Sequence, residues 1–89
     1  MNSIWLFHGA GSRFTSGVFT ERTIAEEWIT KNMLSGVLTK YPINISVYDW
    51  AINESFFAPQ KDIHQSANFI QKFTSASQEH YHYENGNLE

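Results

Sequence analysis

The sequence has no cysteine, only two prolines and only six lysine and arginine residues among its 89 residues. The absence of cysteine excludes disulfide frameworks, thiolate catalysis and cysteine-ligated zinc sites. The basic residues are scattered singly along a chain whose formal net charge is −3. This pattern disfavours a basic surface that follows the phosphates of a nucleic acid, so we do not expect nucleic-acid binding.

Long apolar runs are also missing. No segment approaches the ~18 consecutive apolar residues that a membrane-spanning helix needs. The first three residues lack the basic character of a secretory signal, and the apolar run that follows extends only from Ile4 to Phe7. We therefore expect a cytoplasmic protein that does not bind membranes.

Aromatic residues are abundant, with seven Phe, four Tyr and three Trp. Hydrophobic residues make up 42% of the chain and charged residues 17%, a balance typical of a globular protein. One helix on a small sheet hides few large rings, so an exposed aromatic patch is expected, and such patches mark partner surfaces. The rings considered for it are Trp5, Phe7, Phe14, Trp50, Phe56 and Phe57.

The first half of the chain reads as two short strands and a helix. Alternating side chains predict a strand at Ile4–His8, and Gly17–Phe19 reads as a second strand pairing with it. From Glu21 to Asn32, apolar residues recur at helical spacing behind Thr20, which has the character of an N-cap. The apolar positions of this amphipathic helix are Ile24, Ala25, Trp28 and Ile29.

The second half is less regular. Strands are predicted at Val37–Tyr41 and Ile43–Ile52, separated by Pro42, although the apolar side of the latter segment switches near Asp49. A helix is predicted from Ser66 to about Ser75, and after it a tail that is either poorly ordered or irregular. The predicted fold is therefore α+β, with a mostly antiparallel sheet in ββαββ order, one packed amphipathic helix, and a C-terminal helix and tail. Residues 1–74 form the domain and 75–89 the tail, whose Leu88-Glu89 end reads equally well as a cloning remnant.

Two glycine motifs resemble catalytic or cofactor loops and fail on inspection. His8-Gly9-Ala10-Gly11-Ser12 resembles the oxyanion loop of esterases, but no Gly-x-Ser-x-Gly sequence accompanies it. Gly9-x-Gly11 begins a dinucleotide fingerprint, yet Phe14 stands at its third glycine. Neither motif predicts an enzyme, and no catalytic residue is assigned.

A histidine pair in the tail supports an alternative function. If residues 79–84 are extended, His80, His82 and Glu84 share one face, a spacing compatible with zinc or another divalent metal. His8 or His64 is a candidate further ligand. The alternative is therefore a small metal-binding protein or metal-dependent enzyme that uses His80 and His82, whereas no cofactor is expected otherwise.

The favoured site for a partner surrounds the aromatic-acid-aromatic cluster Tyr48-Asp49-Trp50. Asp49 has two interpretations, a general acid between aromatic rings or, as we favour, a structural residue that caps a turn or pairs with a basic side chain. The surface is expected to bind another protein or a second copy of the chain. Its predicted residues are Trp5, Tyr48, Asp49, Trp50 and Phe57.

The sequence contains six short segments of note, at Phe7–Gly9, Ser16–Phe19, Ala25–Ile29, Leu34–Pro42, Val47–Ile52 and Ser75–Glu84. Together they resemble a small uncharacterised bacterial family, a domain of unknown function. The resemblance implies a stand-alone module, supplies no catalytic residues, and counts the histidine-containing end as part of the domain. One version of the binding hypothesis is an immunity-type protein that masks a toxin, by analogy of size and charge.

Overall fold

The computed structural model describes residues 2–89 and consists of five strands, three α-helices and one 3₁₀ turn. In chain order these are β1 (Ser3–Gly9), β2 (Gly17–Phe19), α1 (Arg22–Lys31), β3 (Gly36–Pro42), α2 (Val47–Asn53), a 3₁₀ turn (Asp62–Gln65), α3 (Ala67–Lys72), β4 (His80–Glu84) and β5 (Asn87–Leu88). Within residues 2–89, no helix is long and apolar enough to cross a membrane.

The five strands form one antiparallel sheet in the order β2-β1-β3-β4-β5. The long ladder between β1 and β3 lies at its centre, with Phe7 opposite Leu38, and Leu38 is in turn opposite Tyr81 of β4. The α+β class and the mostly antiparallel sheet are confirmed. The first three predicted strands are also found, each within two residues of its predicted bounds.

Helix α1 packs on one face of the sheet and closes the main core. Ala25 and Ile29 are fully buried on its inner side, four residues apart, as the helical spacing of apolar residues predicts. The Trp28 ring meets Phe7 edge to face, with ring centroids 5.5 Å apart. The buried residues of this core are Trp5, Phe7, Ala25, Ile29, Leu38 and Tyr83.

The predicted strand at Ile43–Ile52 is wrong, because its second half is helix α2. Pro42 ends β3, and Ser46 then caps a helix: its Oγ accepts a hydrogen bond from the Asp49 N–H at 3.0 Å. Tyr48 and Ala51 are the buried residues of α2. Spaced three apart, they face the same side of a helix, which explains the apparent switch of the apolar side near Asp49.

A second aromatic cluster joins α2 to α3, the helix predicted after Ser66. The Tyr48 ring lies 5.9 Å from Phe57 and 5.5 Å from Phe73, centroid to centroid. Phe57 stacks on Phe69 at 5.7 Å. The Tyr48 hydroxyl donates a hydrogen bond to the His64 carbonyl at 2.8 Å, which ties the 3₁₀ turn to α2.

The expected irregular tail is instead the fourth and fifth strands. Asn85 and Gly86 connect β4 to β5 with φ values of 51° and 84°, the positive values that a two-residue type I′ hairpin requires. The Gly86 N–H donates to the Leu34 carbonyl at 2.8 Å. A Cβ at Gly86 would lie 3.0 Å from the Met33 Cα, so the hairpin turn seats closely against the end of α1.

Candidate functional site

The five residues predicted to bind a partner do not form one accessible surface in the single chain. Trp5 and Tyr48 are each only 7% exposed. Trp5 belongs to the main core and packs against Tyr81, while Tyr48 is at the centre of the second aromatic cluster. Asp49, Trp50 and Phe57 retain access to solvent.

Asp49 lies in the first turn of α2, beside the Ser46 that caps this helix. It neither ends a strand nor pairs with a lysine or arginine within residues 2–89. Besides the capping bond from its own N–H, its Oδ2 accepts a hydrogen bond from the Ser46 hydroxyl at 2.9 Å. Its negative charge lies in the first turn of α2, where the helix dipole favours it. The side chain is exposed, so it lacks the apolar enclosure that a buried general acid would have.

Trp50 lines an open cavity of about 460 Å³ at the end of the sheet. We call it the sheet-end groove. It lies where the end of β3, the C-terminal half of α2 and the segment before β4 meet. Three aromatic side chains, two carboxylates and one lysine define its chemistry: Tyr41, Trp50, Phe56, Glu54, Glu79 and Lys40.

The end of α2 positions the aromatic side of this groove. The helix terminates with Ser55 in the left-handed conformation, at φ 63°. The Phe56 N–H donates to the Ala51 carbonyl at 2.8 Å and the Ser55 N–H to the Ile52 carbonyl at 3.1 Å, the pattern of a Schellman motif. This reversal brings Phe56 to 5.5 Å from Trp50, centroid to centroid, and leaves Phe56 53% exposed.

The polar side of the groove is held by the segment that enters β4. Gln78 is only 5% exposed, and its Nε2 donates to the Lys40 carbonyl at 3.2 Å. The Lys40 Nζ lies 4.0 Å from Glu79 Oε1, and the Tyr81 hydroxyl donates to the other oxygen of Glu79. Glu54 makes no ion pair within residues 2–89.

A second charged group connects α1 to β4. The Arg22 guanidinium carbon lies 3.5 Å from the centre of the Tyr81 ring, and its Nε lies 3.2 Å from Glu26 Oε2. The Nε hydrogen nevertheless makes no aligned hydrogen bond within the described chain. The Tyr83 hydroxyl donates to the same oxygen of Glu26. Burial and this bond raise the pKa of Tyr83 to about 12, so the hydroxyl stays protonated as a donor.

The histidine pair lies on the exposed face of β4, as an extended strand predicts. The His80 and His82 rings are 5.5 Å apart, centroid to centroid, and His80 Nδ1 is 2.6 Å from the Gln78 carbonyl oxygen. His64 packs among the rings of the second aromatic cluster, and His8 Nε2 is 2.7 Å from the Ser12 carbonyl oxygen. Among residues 2–89, no three His, Asp or Glu side chains are close enough to hold a metal ion.

The chain is thus a small α+β domain with one helix-covered antiparallel sheet and a second aromatic cluster beside it. It belongs to a family described as a domain of unknown function (DUF7710), whose model matches residues 4–89. This match confirms the resemblance to an uncharacterised family, and it includes both C-terminal strands. No curated protein and no solved structure matches the chain.

Sequence reasoning selected Trp50 and named Phe56 among the rings of an exposed patch, but missed Tyr41, Glu54 and Glu79. Ser46-x-x-Asp49 after Pro42 is a helix-start signal that resembles a capping box. A helix beginning there places Trp50 and Glu54 four residues apart, on one face. No local sequence signal places Tyr41 and Glu79 beside α2. They lie there because β3 and β4 pair in the folded sheet.

Proposed function

We propose that this protein is a protein-binding module and that the sheet-end groove contacts its partner. The observation that carries the proposal is the Trp50–Phe56 pair at an open cavity of about 460 Å³. Tryptophan and other aromatic side chains supply much of the binding energy at protein interfaces, because large rigid rings bury apolar area at little entropic cost. Phe56 is 53% exposed, so a partner can cover it.

The polar groups of the groove favour binding over catalysis. Gln78 and Glu79 already bond to Lys40 and Tyr81, and so act as structural supports. No histidine lines the groove in the described part of the chain, and a general acid or base is most often a histidine. A preformed groove with aromatic walls is better suited to receiving a side chain than to transferring a proton.

The proposed partner is another protein or a second copy of the chain, and the expected compartment is the cytoplasm. In the immunity-type version of the proposal, the partner is a toxin that the module masks. An acidic chain with a net charge of −3 is suited to a partner of opposite charge, because complementary potentials speed and orient association.

Selection from a random peptide library on the immobilised protein tests the proposal. Enriched peptides are then measured on Trp50→Ala and on the matched control Ile63→Ala, an exposed apolar residue outside the groove. We expect Trp50→Ala to weaken binding by about tenfold or more and Ile63→Ala to leave it unchanged.

Phe56→Ala removes an exposed ring and serves as a second groove variant if Trp50→Ala unfolds. Sedimentation of the protein at high micromolar concentration covers the self-association case, where a dimer weakened by either groove variant supports the proposal. A monomer for which no groove-dependent peptide is enriched would contradict it.

A further inference from the structure

The sheet-end groove combines aromatic surface with negative charge. Trp50, Phe56 and Tyr41 line it together with the acidic residues Glu54 and Glu79. Among residues 2–89, Lys40 is the one basic side chain that lines it, and its Nζ lies 4.0 Å from Glu79 Oε1. The Glu54 carboxylate has no cation within residues 2–89, so the groove has unmatched negative charge beside a tryptophan.

The molecule already contains a cation held by this combination of groups. Arg22 lies over the Tyr81 ring at 3.5 Å and pairs with Glu26 at 3.2 Å. An aromatic face attracts a cation through its quadrupole, and a neighbouring carboxylate adds a charge interaction. The groove offers the same two kinds of group on Trp50 and Glu54, but the described chain provides no arginine to occupy them.

We propose that the sheet-end groove receives an arginine side chain of the partner protein, an inference that rests on the proposed function. A guanidinium is planar and weakly hydrated, so it stacks on a ring while its N–H groups bond a carboxylate edge-on. The stacking surface is Trp50 with Phe56 beside it, and the carboxylate is Glu54. Glu79 adds negative charge while bonded to Lys40 and Tyr81.

Other occupants fit the groove less well. An anionic group would be repelled by Glu54 and Glu79 together. A wholly apolar side chain would cover the rings but leave the Glu54 carboxylate near apolar surface without a cation, which costs free energy. A lysine satisfies the charge but lacks the flat face that stacks on Trp50.

The test uses a defined probe, the peptide Gly-Gly-Arg-Gly-Gly with blocked ends, titrated into the 89-residue chain and followed by ¹H–¹⁵N NMR. The control peptide carries citrulline, which has nearly the same shape and no charge. We expect saturable shifts at the Trp50 indole and at Phe56, with the citrulline peptide about 3- to 30-fold weaker.

Two variants that remove one negative charge each test whether Glu54 is the carboxylate that binds the guanidinium. Glu54→Gln and Glu27→Gln change the net charge equally, but Glu27 is an exposed residue of α1 outside the groove. We expect Glu54→Gln to weaken binding of the arginine peptide several-fold relative to Glu27→Gln, because Glu54 lines the groove and Glu27 does not. Circular dichroism checks that both variants keep the helical content of the wild type.

The outcomes separate this inference from the proposed function. Equal binding of the arginine and citrulline peptides, or equal weakening by both glutamate variants, overturns the arginine assignment. If the library peptides whose binding depends on the groove contain no basic residue, the arginine assignment is overturned. The protein-binding proposal then remains intact. A dimer that depends on Trp50 and is not displaced by the arginine peptide would also overturn the arginine assignment.

Discussion

Two regions of the molecule bury their apolar side chains to different degrees. One is the sheet with α1, and the other is the segment that contains α2 and α3. In the first region, Phe7, Ile29 and Leu38 are almost completely removed from solvent. In the second, only Tyr48 and Ala51 are buried, while Phe57 and its ring neighbours Phe69 and Phe73 remain partly exposed. Both clusters are rich in rings, but only the first contains several buried ones, which are Trp5, Phe7 and Tyr83.

The difference follows from how each region is assembled. The main core needs contacts between distant parts of the chain, such as β1 with β3 and Tyr83 of β4 with Glu26 of α1. The second cluster is built almost entirely from residues 46–73, through the Tyr48–His64 bond and neighbouring rings. A region with fewer buried residues opens at lower free energy, and the groove lies at its border with the sheet.

The largest expected effect comes from truncating the main core. Leu38→Ala removes a fully buried side chain between β1 and β4 and should lower the free energy of unfolding by about 2–5 kcal/mol. Phe57→Ala removes a half-buried ring and should cost about 1–2 kcal/mol, because part of its surface is already in water. Urea unfolding measures both values.

Hydrogen exchange determines whether the two regions open separately. Phe57→Ala should speed exchange of the α2 and α3 amides and leave the central β1–β3 amides protected. Equal losses of global stability from Leu38→Ala and Phe57→Ala would show instead that both clusters unfold as one unit.

A smaller loss of stability than that of Leu38→Ala is expected at alkaline pH, from the hydrogen bond between Tyr83 of β4 and Glu26 of α1. The pKa of Tyr83 is 10.0 in its ordinary state and about 12 in the fold, raised by burial and by the Glu26 bond. Between these values the unfolded chain loses the proton while the folded chain keeps it, so stability falls as pH rises. We expect a loss of roughly 1–3 kcal/mol across this window.

Tyr83→Phe isolates this contribution. It should lower stability at neutral pH by about 1–2 kcal/mol, since the bond to a charged acceptor is lost, and flatten the decline between pH 10 and 12. Denaturant titrations at several pH values provide the curve. An unchanged alkaline decline in Tyr83→Phe would assign it to another group.

The smallest expected change in stability comes from glycine substitutions at the C-terminal ends of α1 and α2. Ser55 after α2 and Met33 after α1 both have positive φ, 63° and 53°, a conformation that glycine adopts without steric cost. Each glycine substitution should stabilise its helix end by about 0.5–1 kcal/mol. Met33→Gly should raise the global unfolding free energy, whereas Ser55→Gly should chiefly increase protection of the α2 amides. Identical global gains would remove the distinction between the regions.

Local pattern was sufficient for β1, β2, α1 and β3, which supply all the buried residues of the main core except Tyr83 of β4. The apolar positions of α1 recur at helical spacing, and the short strands β1, β2 and β3 lie between clear turn signals. The prediction failed at Ile43–Ile52, where β-prone residues outweighed the Ser46 cap. It failed again at the C terminus, where Asn85-Gly86 after the alternating His80–Glu84 segment is a strong hairpin signal that was read as an irregular end.

Only part of the candidate site was predicted from the sequence. Trp50 was predicted at a partner surface and lines the groove, but Trp5 and Tyr48, selected with it, are buried. A ring in a sequence carries no information about which face it occupies until the register of its strand or the phase of its helix is known. Tyr48 lies in the misassigned segment 43–52, whereas Trp5 lies on a correctly predicted strand whose buried face the sequence did not identify.

By itself, the sequence determined the fold class, the absence of thiol chemistry, the amphipathic α1 and the surplus of aromatic rings. These are properties of composition and local periodicity. Only the tertiary structure decided that the C-terminal segment supplies β4 and β5, and that Tyr41, Trp50, Phe56 and Glu79 share one groove. The physical reason is that strand pairing joins residues about 40 positions apart, such as Leu38 and Tyr81, and no local preference encodes which distant strand will pair.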